Sequence, residues 1–279
     1  SFSFKVKFLT MNKALFAVAV FLLFSFQSIA QTSKPLKEVI RFEITEEGGS
    51  NGAAVAWHPV QKKYYTAIAG NSEFPMVVFD ARGNKLFEDG LTTQYDVRGL
   101  WYNPFAKALQ TNGYNDYGWG QYALFEDGQP GEINTLHEGM LQPTEQAVGA
   151  YDAAKNLLYF LDEDGNLSQY SVKKKEFVKS ITLHLGRKKN DKENIFENED
   201  VLEEYNSTAL IYTGIKGAEM GLLNFDSRQI ELYNLANGYL ARTLKVPDTQ
   251  EIFTMFNFSY TNGTYFFFDK DTRVWKGYR

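Results

Sequence analysis

The chain contains no cysteine among its 279 residues, and it has only three histidines. The lack of cysteine excludes disulfide bonds, a thiol nucleophile and a cysteine-linked lipid anchor. His58, His137 and His184 do not show the spacing of zinc ligands. The sequence also lacks a glycine-rich phosphate-binding or dinucleotide-binding loop. We therefore expect no cofactor, with calcium as the alternative considered below.

Long apolar runs are absent apart from one near the N-terminus. Met11 is followed by Lys13, an apolar run over 14–26 and the small residues Ser28 and Ala30. This order predicts a signal peptide over residues 11–30 with cleavage before Gln31, and we interpret residues 1–10 as upstream sequence. The run is too short to cross about 30 Å of hydrocarbon as a helix, so we expect no membrane insertion after cleavage. Export of a cysteine-free chain favours the bacterial periplasm or the extracellular space.

The chain also has no excess of positive charge. Once residues 1–30 and their three lysines are removed, 26 basic and 34 acidic residues remain, a formal charge of −8. Such a surface has no general attraction for nucleic acid or anionic lipid, so we expect neither as a partner. We expect a monomer whose partner is a protein segment or a glycan.

A repeated pattern accounts for most of the remaining sequence. An apolar strand, a short polar turn and a second apolar strand recur five times. The copies occupy residues 53–65, 97–111, 147–161, 209–225 and 253–268. Short strands that repeat about every 40–50 residues indicate a β-propeller. We therefore predict that residues 31–279 form one all-β domain, a five-bladed β-propeller; six blades are the alternative, if residues 186–208 contain a further pair of strands.

The ends of the chain predict how this ring closes. The last copy lacks an outer strand, whereas residues 37–44 alternate apolar and polar side chains and belong to no complete blade. A propeller must close to remove its open sheet edges. We expect this N-terminal strand to complete the last blade.

The first repeat shows a resemblance to known proteins. Its residues Trp57, His58 and Pro59 form an aromatic–polar–proline turn before an aromatic strand, and an Asp…Gly-Asn hairpin follows at 80–84. In these features the units resemble secreted bacterial propellers of the broad NHL, YVTN and lactonase-like type, over residues 37–279. The resemblance implies architecture alone, because the chain has no Trp-Asp series, no Tyr-Val-Thr-Asn motif and no catalytic motif of those families.

One loop combines glycines with aromatic residues, at 112–120. In a propeller, loops that enter the first strands and loops that join second to third strands share one face, and loops on a rigid scaffold commonly carry function. Flat aromatic faces beside hydrogen-bonding groups suit sugars and peptides. The predicted ligand-binding residues are Tyr114, Asn115, Asp116, Tyr117, Trp119 and Arg98.

A second candidate cluster consists of polar residues that precede the first strands: Asn51, Asp96, Glu145, Glu251 and either Asp200 or Glu203. Carboxylates that converge at the channel mouth could recruit Ca²⁺ or catalyse hydrolysis, although Arg98 could neutralise them. The alternative catalytic residues are Asp96, Glu145 and Glu251, and the candidate metal ligands are Asn51, Asp96 and Glu145. Residues 162–166 imitate the start of a calcium loop, but Lys173 stands where the final glutamate should be.

Three functions are compatible with this sequence. The first, which we favour, is an exported non-enzymatic propeller that binds a protein segment or a glycan on its loop-rich face. The second is a glycoside hydrolase or metal-dependent lactonase that uses the channel-mouth carboxylates. The third is a structural module of an envelope assembly.

Overall fold

The computed structural model describes residues 35–88, 90–189, 191 and 201–279. The predicted signal peptide, the upstream residues and Asp200 lie outside these ranges. No helix in the described part of the chain is long and apolar enough to cross a membrane.

The described residues form five small antiparallel sheets, which are the blades of a five-bladed β-propeller. The first blade contains β2 (Asn51–His58), β3 (Lys63–Ala69) and β4 (Met76–Asp80). The second contains β5 (Val97–Asn103), β6 (Ala108–Gly113), β7 (Trp119–Leu124) and β8 (Pro130–His137). The third contains β9 (Ala150–Asp152), β10 (Leu157–Leu161), β11 (Asn166–Ser171) and β12 (Glu176–Thr182). The fourth contains β13 (Ile211–Tyr212), β14 (Met220–Asn224), β15 (Gln229–Tyr233) and β16 (Leu240–Lys245). The last contains β17 (Phe258–Thr261), β18 (Thr264–Asp269), β19 (Val274–Tyr278) and β1 (Glu38–Glu43).

The hairpins between the first and second strands all use left-handed backbone. One residue adopts positive φ in each of the first three blades, and two do so in the fourth and in the last, with φ between 50° and 78°. These residues are Lys62, Lys107 and Asn156, then Gly214 and Gly217, and finally Asn262 and Gly263. Such turns reverse the chain within a few residues, so the two innermost strands of each blade stay in register.

The predicted closure is confirmed, and five is the number of blades. β1 pairs antiparallel with β19, with Phe42 opposite Trp275. The Phe42 ring is fully buried, 4.7 Å from the Phe79 ring of the first blade and 5.4 Å from the Phe266 ring of the last. The N-terminal strand therefore joins the last blade to the first through both backbone hydrogen bonds and aromatic packing.

Neighbouring inner strands also approach each other closely. The Asn112 side chain on β6 accepts hydrogen bonds from the backbone N–H groups of Gly99 and Gly149, both at 3.0 Å, and donates to the carbonyl of Ala147 at 2.9 Å. A Cβ atom on Gly99 would lie 2.9 Å from the backbone of Gly149. Glycine is therefore required where the second and third blades meet.

The structure differs from the predicted strands in three places. The inner strand of the last blade begins at Phe258 rather than Phe253, because Phe256 and Asn257 adopt positive φ and interrupt the extended chain. After the hairpin at 80–84, Lys85 makes only an isolated bridge with Phe79, so the first blade has three regular strands. In the segment 186–208, where the six-blade alternative required a further pair of strands, the described part contains a 3₁₀ turn at Val201–Glu204.

Deleting residues 37–44 should cause aggregation, because β19 then becomes an open edge and the apolar faces around Phe42 lose their cover. Light scattering after size-exclusion chromatography measures this. In a milder test, Phe42→Ala should lower the free energy of unfolding by about 3–5 kcal/mol. The exposed Val39→Ala on the same strand should change it by less than about 0.5 kcal/mol. A monomeric deletion variant with unchanged melting would show that the ring does not depend on β1.

Candidate functional site

We call the end of the ring at which the five inner strands begin the upper face, and the end at which they finish the lower face. The inner strands are β2, β5, β9, β13 and β17. Strands alternate in direction within a blade, so the loops between second and third strands also reach the upper face. The upper face therefore holds the loops that the sequence assigned to binding, including residues 114–118 and 162–165.

Arg98 lies at the centre of the upper face, near the start of β5. Its Nη1 and Nη2 donate to the two carboxylate oxygens of Asp96 at 2.5 and 3.2 Å, and its Nε donates to Gln146 Oε1 at 2.8 Å. Arg98 and Asp96 are only 4% and 6% exposed. Asp96 Oδ1 also accepts from the backbone N–H of Gly70 at 2.7 Å. This bidentate, largely dehydrated ion pair joins the loops of the first three blades.

Two aromatic rings pack against the Arg98 guanidinium. Its central carbon lies 4.7 Å from the centre of the Tyr114 ring and 5.1 Å from that of Phe256. The Tyr114 hydroxyl donates to Glu145 Oε2 at 2.7 Å, and this hydrogen bond and the Glu145 charge raise the pKa of Tyr114. Cation–π contacts of a partly dehydrated arginine add stability to the ion pair. The predicted residues Asp96, Arg98, Tyr114 and Glu145 thus form one connected network.

The glycine-aromatic loop is shorter than the sequence suggested. Asn115–Tyr117 form a 3₁₀ turn, Asp116 is exposed, and the Tyr117 ring packs 5.4 Å from the Tyr95 ring while remaining 39% exposed. Trp119 already belongs to β7 and is 1% exposed, between the rings of the third blade. Its indole is part of the hydrophobic core and is not accessible to a surface ligand. The prediction that Trp119 binds a ligand is therefore wrong.

The remaining predicted polar residues do not join the Arg98 network. Asn51 Oδ1 accepts from Asn257 Nδ2 at 3.2 Å, which ties the first blade to the last. Glu251 is exposed in the loop before β17, which begins later than predicted. Within the described ranges, no group of three or more histidine, aspartate or glutamate residues is arranged to hold a metal ion.

A cleft of about 670 Å³ opens beside this network, between the loops of the third and fourth blades. Its charged lining is wholly acidic, with the carboxylates of Glu145, Asp162, Glu163 and Glu203. Apolar side chains complete the walls: Met140, Pro143, Leu161 and Leu202. We call this the acidic cleft. Of its carboxylates, the sequence analysis named Glu145 and Glu203 as site candidates. The other two could have been found in the sequence, because the segments 138–146, 161–166 and 201–208 that line the cleft contain no lysine or arginine.

Comparisons with known proteins show similarity of fold. No family model matches the sequence, and no curated protein matches it. The structure of Myxococcus xanthus glutaminyl cyclase aligns with a TM-score of 0.51 at 8% identity, covering 88% of this chain and 98% of that one. The Cps50 (Swd1) β-propeller domain of Myceliophteria thermophila aligns with a TM-score of 0.43 at 11% identity, covering 88% of this chain and 99% of that one. The structure of a nidogen/laminin complex aligns with a TM-score of 0.40 at 14% identity. This alignment covers 70% of this chain and 63% of that one.

Replacing Arg98 by methionine should destabilise the protein by about 3–5 kcal/mol, because the buried Asp96 carboxylate loses its partner. Adding Asp96→Asn should restore part of that loss, since the uncompensated charge is then removed. Chemical denaturation measures both. The control is Lys174→Met, which breaks an exposed ion pair with Glu176 and should cost less than about 0.5 kcal/mol. If Arg98→Met costs no more than this control, the network does not hold the upper face together.

Proposed function

We propose that this chain is an exported, non-enzymatic propeller that binds a positively charged segment of another protein in the acidic cleft. The observation that carries the proposal is the composition of that cleft, which combines four carboxylates with apolar walls and, among the residues that the structure describes, has no basic side chain in its lining. Such a surface attracts lysine and arginine side chains and gives the aliphatic parts of a peptide an apolar contact. Export rests on the signal peptide predicted over residues 11–30.

The contacts of the acids favour binding over hydrolysis. Both oxygens of Asp96 are engaged by Arg98, and one of them also by Gly70. Glu145 accepts from Tyr114. A hydrolase of the glycosidase type needs two carboxylates that face each other across a substrate bond. An aspartate whose two oxygens are both held by a buried arginine does not present a free oxygen to a substrate bond.

The positions of the aromatic residues favour a peptide over a glycan at this face. Trp119 is buried, and Tyr114 is engaged by both Arg98 and Glu145. Tyr117 remains 39% exposed but packs against Tyr95. A sugar therefore finds little free flat aromatic surface here, whereas the carboxylates Glu163 and Glu203 are exposed to a cationic peptide.

The test is isothermal titration calorimetry of the purified protein with a short peptide of alternating lysine and valine. We expect binding that weakens as salt is added, because screening acts on exposed charges. The variant Glu163→Gln/Glu203→Gln should bind several-fold more weakly, as each exposed charge pair contributes roughly 0.2–1 kcal/mol.

The matched control is Glu126→Gln/Glu176→Gln, which removes the same charge from exposed positions outside the cleft. It should bind the peptide like the unmodified protein. Equal losses in both variants would mean that only net charge matters, and would contradict the cleft as the site. Binding of a neutral oligosaccharide at the cleft instead of the peptide would favour the glycan alternative.

A further inference from the structure

The five inner strands each present an aromatic residue where they reach the lower face. These residues are Trp57, Tyr102, Tyr151, Tyr212 and Tyr260, and all five are half-buried. Each is paired with a residue at the start of the second strand of its blade, so the five lie at corresponding levels. Together they line a central cavity of about 240 Å³, with Gly99, Gly149 and Ser259 also in its wall.

Neighbouring rings hold these aromatic side chains in place. Tyr102 packs 4.3 Å from His58, Trp57 packs 4.5 Å from Tyr64, and Tyr260 packs 4.8 Å from Tyr265, measured between ring centres. The other two rings lie farther from their partners but still stack on them, with Tyr151 at 5.8 Å from Trp101 and Tyr212 at 6.0 Å from Tyr159. We call the central cavity lined by these five rings the aromatic cavity. Its walls are preformed, which lowers the entropy cost of binding a ligand.

Three phenol groups of this cavity, those of Tyr151, Tyr212 and Tyr260, stay neutral at ordinary pH. Burial raises the pKa of Tyr151, Tyr212 and Tyr260, and the Asp152 carboxylate raises it further for the first two. Neutral phenols can both donate and accept hydrogen bonds. The cavity therefore offers flat apolar surfaces together with phenol groups. The Ser259 and Thr261 hydroxyls in its wall already accept from the backbone N–H groups of Val55 and Trp57, both at 3.1 Å.

Each blade carries a basic residue at the lower face, outside the wall of this cavity. Four are exposed on the hairpins between first and second strands: Lys62, Lys107, Lys155 and Lys216. The hairpin of the last blade has no basic residue of its own, but Arg279, which follows β19, donates from Nη2 to the carbonyl of Asn262 at 3.1 Å. We call these five residues the basic rim.

Two carboxylates lie close to the rim and keep their negative charge. Asp152 is fully buried, accepts from the backbone N–H of Ala154 at 2.9 Å and lies 3.7 Å from Lys155 Nζ. Glu219 accepts from the backbone N–H groups of Gly217 at 2.7 Å and Leu235 at 3.1 Å. The five basic residues of the rim outnumber these two acids, on a chain whose formal net charge is −5.

We propose that the aromatic cavity binds one sugar ring of an acidic glycan, with the uronate carboxylate held by the basic rim. Aromatic faces stack on the apolar faces of sugar rings, while the phenols satisfy sugar hydroxyl groups. The volume is below the 300 Å³ or so of pockets for drug-sized ligands, which suits a single ring at the end of a chain. The rim disfavours a cationic ligand and attracts a carboxylate.

The test is calorimetric titration of the purified protein with oligogalacturonate, alongside a neutral galacto-oligosaccharide of equal length. Oligogalacturonate should bind and quench tryptophan fluorescence, because Trp57 lines the cavity, and the neutral sugar should bind roughly tenfold more weakly. The variant Lys62→Gln/Lys107→Gln/Lys216→Gln should weaken binding by a similar factor. These lysines are exposed, so the variant should fold normally.

Matched variants separate the cavity from net charge. Lys174→Gln/Lys188→Gln/Lys245→Gln removes the same charge away from the rim and should leave binding unchanged. Tyr102→Leu should weaken binding, whereas Tyr102→Phe, which keeps the flat ring, should retain most of it. Absence of oligogalacturonate binding, equal loss in both lysine variants, or equally tight binding of polyglutamate would overturn the proposal. Because none of these substitutions touches the acidic cleft, the outcome is independent of the peptide test.

Discussion

The structure depends on the pairing of β1 with β19, which joins two segments from opposite ends of the chain. Five small sheets cannot bury their faces alone, and each blade packs only against its neighbours. The inner strands of the first and last blades also touch directly, since the backbone N–H groups of Gly52 and Val55 donate to Asn257 and Ser259 at 2.8 and 3.1 Å, and β1 adds the outer part of this junction. Phe42 reinforces the join by stacking between Phe79 and Phe266. Closure of the ring is what holds the five inner strands around one axis.

Closure also gives the ring two chemically different ends. Because all five inner strands run in the same direction along the axis, residues before them collect on one face and residues after them on the other. Arg98 and Asp96, with their partners from neighbouring loops, occupy the centre of the upper face beside the acidic cleft. At the lower face, one aromatic residue from each blade lines an open cavity, and each blade also carries a basic residue at this end of the ring. The same repeat therefore supports two surfaces of opposite charge.

The sequence predicts the blades and their closure well, because alternating strands and turn residues are local signals. Prediction from the sequence fails where contacts between residues far apart in the chain determine the backbone conformation. Residues 253–256 have strand-like composition, but Asn206 Nδ2 binds the carbonyls of Phe253 and Phe256 and holds this segment as a loop. Trp119 follows a glycine and looks like part of a surface loop, yet β7 begins there and the ring turns into the core. The four lysines of the basic rim are visible in the sequence only when the hairpins of the first four blades are aligned, and Arg279 is brought beside the last hairpin only by the fold.

The central claim is that two ligands of opposite charge bind at opposite ends of one ring. Hydrogen–deuterium exchange with the lysine–valine peptide and oligogalacturonate, added separately and together, tests it most directly. The account predicts that the peptide protects amides in 140–146 and 202–208, that oligogalacturonate protects those in 59–62 and 104–107, and that the two footprints persist together. Footprints on the same face, or loss of one when the other ligand is added, would contradict the account.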